Sequence, residues 1–196
     1  MSLLIFEGVT GSGKTSTIDA LRSMCELTLI REERTFDDFM REFDRDPRAA
    51  TCRAVQRLGD VLDEVAHRTL DNIVLERFHF SNIALGADPE RFSEIEERLS
   101  RLGCKVVVFI VLESELARRS LYRSEYGGAD WQGLLSWNGS EDAALRALQH
   151  AQNARLKAIE SARLPYRELN TAAMEWERYA ADVADFVDWP RKLVSG

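Results

Sequence analysis

Cysteine is scarce in this chain: only Cys25, Cys52 and Cys104 among 196 residues carry a thiol. An odd, sparse set without C-x-x-C spacing offers neither a disulfide framework nor a zinc site. Reduced thiols in a cytoplasmic protein are the expectation. Proline is scarce too, at four residues, and no stretch rich in Pro, Gly or Ser marks a linker. Residues 1–196 therefore read as a single domain of a length that suits one α/β unit. No repeat or low-complexity tract is present. The apolar start Met1-Ser2-Leu3-Leu4-Ile5-Phe6-Glu7 is too short for a membrane span and lacks the basic flank of a signal peptide, so no membrane partner is expected. Positive charge is in deficit: 26 Lys and Arg stand against 33 Asp and Glu, a formal net charge of −7. That balance argues against an extended nucleic acid, which needs a broad basic footprint. It leaves room for a local arginine cluster around a small anion.

What is present is an alternation of short apolar runs with helical patterns. Residues 3–6, 27–30, 73–75 and 106–112 read as strands, with a weaker fifth at 166–169. The run 106–112 is apolar throughout, as a strand buried on both faces requires. Phe36, Phe39, Met40 and Phe43 fall at helical spacing, and so do Val55, Leu58, Val61, Leu62 and Val65. Phe92, Ile95, Leu99 and Leu102 form another helical set. Helices at 143–161 and 172–189 close the chain, the last with Trp176, Tyr179, Val183 and Phe186 on its apolar face. Strands alternating with helices predict a three-layer α/β/α fold around a mainly parallel five-stranded sheet. Residues 125–141 hold four glycines with Trp131 and Trp137 and read as a mobile segment.

The sharpest motif is Gly8-Val9-Thr10-Gly11-Ser12-Gly13-Lys14-Thr15, which fits G-x-x-x-x-G-K-[ST]. The glycines permit the tight turn that points backbone N–H groups inward. Those donors and the following helix N-terminus attract phosphate oxygens. Lys14 brings charge to the terminal phosphates, and the Thr15 hydroxyl is suited to Mg²⁺. An apolar strand precedes the motif, and Ile18 and Leu21 follow at helical spacing. ATP with Mg²⁺ is the ligand this loop implies, with Gly8, Gly11, Ser12, Gly13, Lys14, Thr15 and Ser16 as its binding residues. A GTP switch is disfavoured, because no Asn is followed by Lys to begin N-K-x-D.

The segment Phe6-Glu7-Gly8-Val9-Thr10-Gly11-Ser12-Gly13-Lys14-Thr15-Ser16 resembles the phosphate loop of thymidylate kinases and their deoxynucleoside kinase relatives. Glu76-Arg77-Phe78-His79-Phe80-Ser81 resembles the acid–arginine segment that ends the third strand in the same group. Leu29-Ile30-Arg31-Glu32-Glu33 and the arginine-bearing stretch Leu112–Arg123 are weaker matches. Thr10 stands where thymidylate kinases usually carry an acid. The resemblance implies a P-loop NTPase fold with an arginine-bearing lid at about residues 118–141. It implies ATP-dependent transfer of the γ-phosphoryl group to a nucleoside or nucleoside monophosphate.

Phosphoryl transfer needs positioned phosphates and positive charge where the transition state spreads negative charge. Lys14, Arg77, Arg119 and Arg123 are the candidate catalytic cations, and Arg118 a candidate nucleotide contact. Glu76, with Thr15, is the candidate metal ligand; Glu76 or Glu32 is the candidate base. Each has a plainer reading. Arg118, Arg119 and Arg123 could pair with Glu113, Glu115 and Glu125, and Glu76-Arg77 could be a local ion pair. His79 reads more readily as a packed or exposed loop residue than a catalyst. Phe78 and Phe80 could stack a base or fill the core. The partners expected are a small-molecule phosphoryl acceptor and, compatibly, a second copy in a homodimer. The alternatives are a kinase of a non-nucleotide hydroxyl and a nucleotide-binding module without turnover.

Overall fold

A computed structural model describes residues 2–68, 71–121, 138–190 and 192. Its five strands are β1 Ser2–Gly8, β2 Thr28–Ile30, β3 Asn72–Glu76, β4 Lys105–Ile110 and β5 Tyr166–Asn170. They form one sheet in the order β2-β3-β1-β4-β5, and every pairing is parallel. The helices are α1 Lys14–Met24, α2 Glu32–Thr35, α3 Asp37–Phe43, α4 Pro47–Ala66, α5 His79–Ala84, α6 Ser93–Arg101, α7 Glu113–Leu116, α8 Glu141–Ser161 and α9 Trp176–Phe186.

Strand parity builds the three layers. Side chains alternate between the two faces of a strand. Leu3, Ile5, Ile73, Leu75, Val106 and Val108 pack with Leu58, Val61 and Leu62 of α4, Ile95 and Leu99 of α6 and Ile159 of α8. Leu4, Phe6, Val74, Val107 and Phe109 pack on the other face with Ile18 and Leu21 of α1 and Tyr179 and Val183 of α9. The central strands are thus apolar on both sides, which is why their sequences read as continuous apolar runs.

Several boundaries differ from the sequence expectation for identifiable reasons. The fourth strand ends at Ile110 rather than Leu112. Gln152 of α8 takes both main-chain groups of Val111, accepting from its N–H at 2.9 Å and donating to its carbonyl at 3.0 Å. Leu112 is 45% exposed. The Phe36–Phe43 pattern is broken at Phe36, which separates α2 from α3, and Met40 is exposed. The last helix spans Trp176–Phe186 rather than 172–189, because Met174 and Asp188 hold left-handed backbones, φ 53° and 58°, that an α-helix cannot contain. The helix expected at 143 begins at Glu141, where the Ser140 side chain accepts from Ala143 N–H at 3.2 Å. A 3₁₀ turn, Pro89–Phe92, precedes α6 and takes in Phe92.

Gln152→Leu keeps bulk but strips Val111 of both partners. It should lower stability by about 1–3 kcal/mol, the cost of stranding buried polar groups. Urea unfolding of wild type and variant measures this; equal midpoints would show that Gln152 does not hold the end of β4.

Candidate phosphate-transfer site

The register sets Phe6 beside Glu76 and Gly8 beside Phe109, so the carboxyl ends of β1, β3 and β4 converge. Open parallel sheets bind ligands at this edge. The chain leaves β1 at Gly8 and enters α1 at Lys14. Gly11 and Gly13 have φ 76° and 93°. A Cβ on Gly11 would lie 2.6 Å from the Arg119 carbonyl oxygen, and one on Gly13 would lie 2.4 Å from the Trp176 indole. Both positions therefore exclude any other residue, by backbone conformation and by space. Lys14 is buried, and its ammonium donates to the carbonyls of Gly8 at 3.0 Å and Val9 at 3.2 Å. Burial lowers its pKa to about 7; Arg77 and Arg155 push the same way, while Glu32 and Glu76 partly oppose them. Thr15 is exposed, Ser16 is half-buried and Ser12 is fully buried. A tight glycine loop, a lysine inside it and an open threonine hydroxyl at the start of a helix fit a Mg²⁺-bound phosphate chain.

Two different flanks border this loop. On the β3 side, Glu76 is 6% exposed, and burial raises its pKa, with Glu32 adding to the rise and Lys14 opposing it. Arg77 follows in a left-handed backbone, φ 51°. Its Nε pairs with the Glu32 carboxylate, its Nη2 donates to Thr10 Oγ1 at 3.4 Å, and its guanidinium lies 5.4 Å from the centre of the Phe36 ring. A non-glycine residue held at positive φ is an uncommon conformation, and such residues concentrate at functional sites.

On the β4–β5 side, residues Ala117–Leu121 form a π-helical turn. Such turns recur at functional sites. Arg119 is buried and donates from Nη1 to Thr171 O at 2.9 Å and Thr171 Oγ1 at 3.0 Å. Ser120 Oγ donates to Thr10 O at 2.8 Å, and Thr171 Oγ1 lies 2.9 Å from Ser12 O. Arg118 turns outward and pairs with Glu115 at 2.5 Å, the plainer of its two readings. Arg123, Trp131 and Trp137, with the whole of residues 122–137 of the expected lid, lie outside the described residues.

Under the loop lies a polar network that the motifs did not single out. Glu7 continues the Leu3, Ile5 parity and points into the interior, where it is 0% exposed. Its Oε1 accepts from Phe78 N–H at 2.7 Å. Its Oε2 accepts from Ser81 Oγ at 2.6 Å and from Arg155 Nε at 2.9 Å. Arg155 is also buried; burial lowers its pKa to about 10, against the opposing pull of Glu7. Two signals in the sequence point to this pair: a carboxylate at an interior parity of β1, and Gln152 and Arg155 within the buried stripe Ala144, Leu148, Ile159 of α8. His79, Phe78 and Phe80 are 0% exposed and belong to the core. The His79 ring centre lies 3.8 Å from that of Phe80, and its Nε2 lies 3.4 Å from Glu96 Oε1.

A cavity of about 510 Å³ lined by Glu26, Leu27, Thr28, Asp71, Asn72, Pro190 and Lys192 opens at the amino ends of β2 and β3, the edge away from the loop. Shape and chemistry thus point to different places. The loop is the better site, because main-chain donors hold phosphate on a surface that need not be concave.

No protein-family model matches this chain, and no curated protein matches it in sequence. Solved structures do match in shape. The YorR protein of Bacillus subtilis, determined in complex with phosphorylated GDP, aligns with a TM-score of 0.63 and 15% identity, covering 95% of this chain and 96% of its own. Shikimate kinase from Bacteroides thetaiotaomicron aligns at 0.61 and 18% identity, covering 95% and 98%. The chain shares with these structures a three-layer α/β/α fold around a parallel sheet. At these identities the likeness establishes the three-layer architecture and leaves the chemistry to the residues of the site.

The Glu7–Arg155 pair yields a stability test. Arg155→Met leaves a carboxylate buried without its cation and should cost about 3–5 kcal/mol. Adding Glu7→Gln should recover part of that loss, measurable as a non-additive double-mutant cycle in urea. Strict additivity would show that the two groups do not depend on each other.

Proposed function

We propose that the protein is an ATP-dependent phosphotransferase whose acceptor is a small hydroxyl compound, with nucleosides the leading class. The observation that carries this reading is the Glu32–Arg77 pair set beside Thr10 of the phosphate loop. It puts a carboxylate and a guanidinium on one side of the terminal phosphates. Lys14 and Arg77 neutralise charge that builds on the transferred group, and their fixed positions cost no reorganisation during reaction. Glu32 is half-exposed and reachable by an acceptor hydroxyl, whereas Glu76 is buried. Glu32 therefore takes the base role and Glu76 the metal side. Mg²⁺, held through Thr15 and Glu76, would supply charge neutralisation for the phosphates.

Charge on the acceptor side favours a nucleoside or another phosphate-free alcohol over a nucleoside monophosphate. Burial raises the pKa of Asp37, and the carboxylates of Glu32 and Glu33 add to the rise. Four neighbouring arginines are paired with carboxylates: Arg34 with Glu64, Arg41 and Arg57 with Asp38, and Arg53 with Glu42. A phosphomonoester would add negative charge to an edge already crowded with carboxylates. The resemblance to thymidylate and deoxynucleoside kinases supports a nucleoside-type acceptor, and Thr10 removes one acidic contact usual for thymidylate.

Product formation from Mg·ATP against nucleosides, monophosphates and sugar alcohols tests the reading. Lys14→Ala should reduce transfer by about 10²-fold or more while the fold persists. A folded variant that turns over like wild type would remove the loop from the chemistry. ATP binding with no acceptor phosphorylated would favour a binding module.

The lysine also sets a pH signature. With its pKa lowered to about 7, Lys14 is largely neutral at about pH 8 and is recharged by bound phosphate, so binding takes up protons and affinity falls as pH rises above 7. Calorimetry in buffers of different ionisation enthalpy measures that uptake. Proton release, or none, at about pH 8 would contradict the assignment of Lys14 to the phosphates.

A further inference from the structure

The carboxylate of Glu32 and the guanidinium of Arg77 stand on separate pieces of chain. Glu32 opens α2, a single turn of four residues. One turn cannot hold itself as a helix, so its place comes from what it packs on. The strand that leads into it, β2, has three residues and lies at the sheet edge, and its pairing with β3 ends at Ile30 and Leu75. Arg77 follows the end of β3 in its left-handed backbone.

The two pieces meet at the peptide between Glu76 and Arg77. Its N–H donates to Phe6 O at 2.9 Å, on the β1 side. The chain has no cis peptide among the described residues, and in a trans peptide the carbonyl points opposite to the N–H. Glu76 O therefore faces the β2 side, past the last residue of that strand. Thr35, the last residue of α2, supplies the donor there. It is 2% exposed, and its Oγ1 donates to Glu76 O at 3.0 Å. A hydroxyl has one proton to give. Its other acceptor, Glu32 O, is farther away at 3.4 Å and already receives the Phe36 N–H at 2.8 Å. The Glu76–Arg77 peptide plane is thus held from both sides, and that plane sets the direction in which Arg77 leaves the strand. The same hydrogen bond fixes the turn that carries Glu32, and the next residue, Phe36, sets its ring under the Arg77 guanidinium.

We propose that Thr35 is a positioning residue for phosphoryl transfer, whose hydroxyl holds the Glu32 turn and the Glu76–Arg77 peptide in one fixed relation. This rests on the reading of Glu32 as the base and Arg77 as a cation on the transferred group. Thr35 is buried, so it acts on the reaction through those two side chains.

The test is steady-state turnover with Mg·ATP and whichever of the nucleosides, monophosphates and sugar alcohols wild type phosphorylates fastest. The variants are Thr35→Val, Thr35→Ala, Thr35→Ser, Glu32→Gln and the Thr35→Val, Glu32→Gln double mutant, each with urea unfolding beside it. Thr35→Val keeps the branched shape and removes the donor. It should lower kcat by about tenfold to a hundredfold, the cost of misplacing a reacting group by about an ångström, and leave KM for ATP unchanged. Thr35→Ser, which restores the hydroxyl, should recover most of the rate. With Glu32→Gln already present, Thr35→Val should cost much less, because the carboxylate it positions is gone. Thr35→Ala carries the same comparison if the valine variant does not fold. A purely structural role would lower the urea midpoint and leave kcat per folded molecule unchanged, and that result would overturn the proposal. Equal losses for the valine and serine variants would overturn it too, as would the same loss with and without Glu32. If wild type phosphorylates none of the acceptors, the proposed function itself fails and this inference falls with it.

Discussion

A carboxylate fully closed off from solvent, Glu7, sets the geometry of the phosphate edge. It follows the apolar run of β1 at an interior parity, so its charge must be met inside the protein. Arg155 meets it from α8, Ser81 from α5 and the Phe78 N–H from the turn after β3. Removing any partner would leave charge or a polar group stranded, which costs more than the pair contributes relative to an apolar core. The value of the network lies in position. It joins the residue before Gly8 to the residue after Arg77, so the phosphate loop and the β3 turn share one anchor. Arg77 can then hold its left-handed backbone because the residues around it are fixed.

The second flank is tied to the same loop by a different route. Ser120 and Thr171 both reach main-chain carbonyls of the loop, at Thr10 and Ser12. Arg119 is bound to Thr171, so the end of β5 and the π-helical turn after α7 move with the loop or not at all. Glycine at positions 11 and 13 is what lets these neighbours come so close. The loop is accordingly held on both sides before ligand arrives, which spares the ordering cost that a flexible cradle would incur on binding.

Much of this was legible in the sequence, and the reasons are specific. The five strands, the loop and the placement of Glu76-Arg77 at a strand end follow from apolar runs and one strict motif, both local features. Lys14 lies buried in the loop and Thr15 exposed at the start of α1. What local pattern could not give were contacts set by tertiary structure. Arg118 and Arg119 are adjacent in sequence, yet one is exposed against Glu115 and the other buried against Thr171. Their separation depends on a π-helical turn that no residue spacing announces. Trp176 registers in the sequence only as part of an amphipathic stripe; its contact with Gly13 needs the packing of α9 on α1. Glu7 and Arg155 lie 148 residues apart. Each was visible only as a charge in an apolar pattern, and charge out of pattern was the signal to pursue.

The most direct test is a crystal structure with Mg²⁺ and an unhydrolysable ATP analogue. The triphosphate should lie in the loop of residues 8–15, with its terminal phosphate toward Arg77 and the Glu32 carboxylate. Glu7 should keep its bonds to Phe78, Ser81 and Arg155, and Arg77 its left-handed backbone. A triphosphate bound at another place, or one that turns its terminal phosphate toward Thr171 while the Glu7 network rearranges, would contradict the assignment of the two flanks.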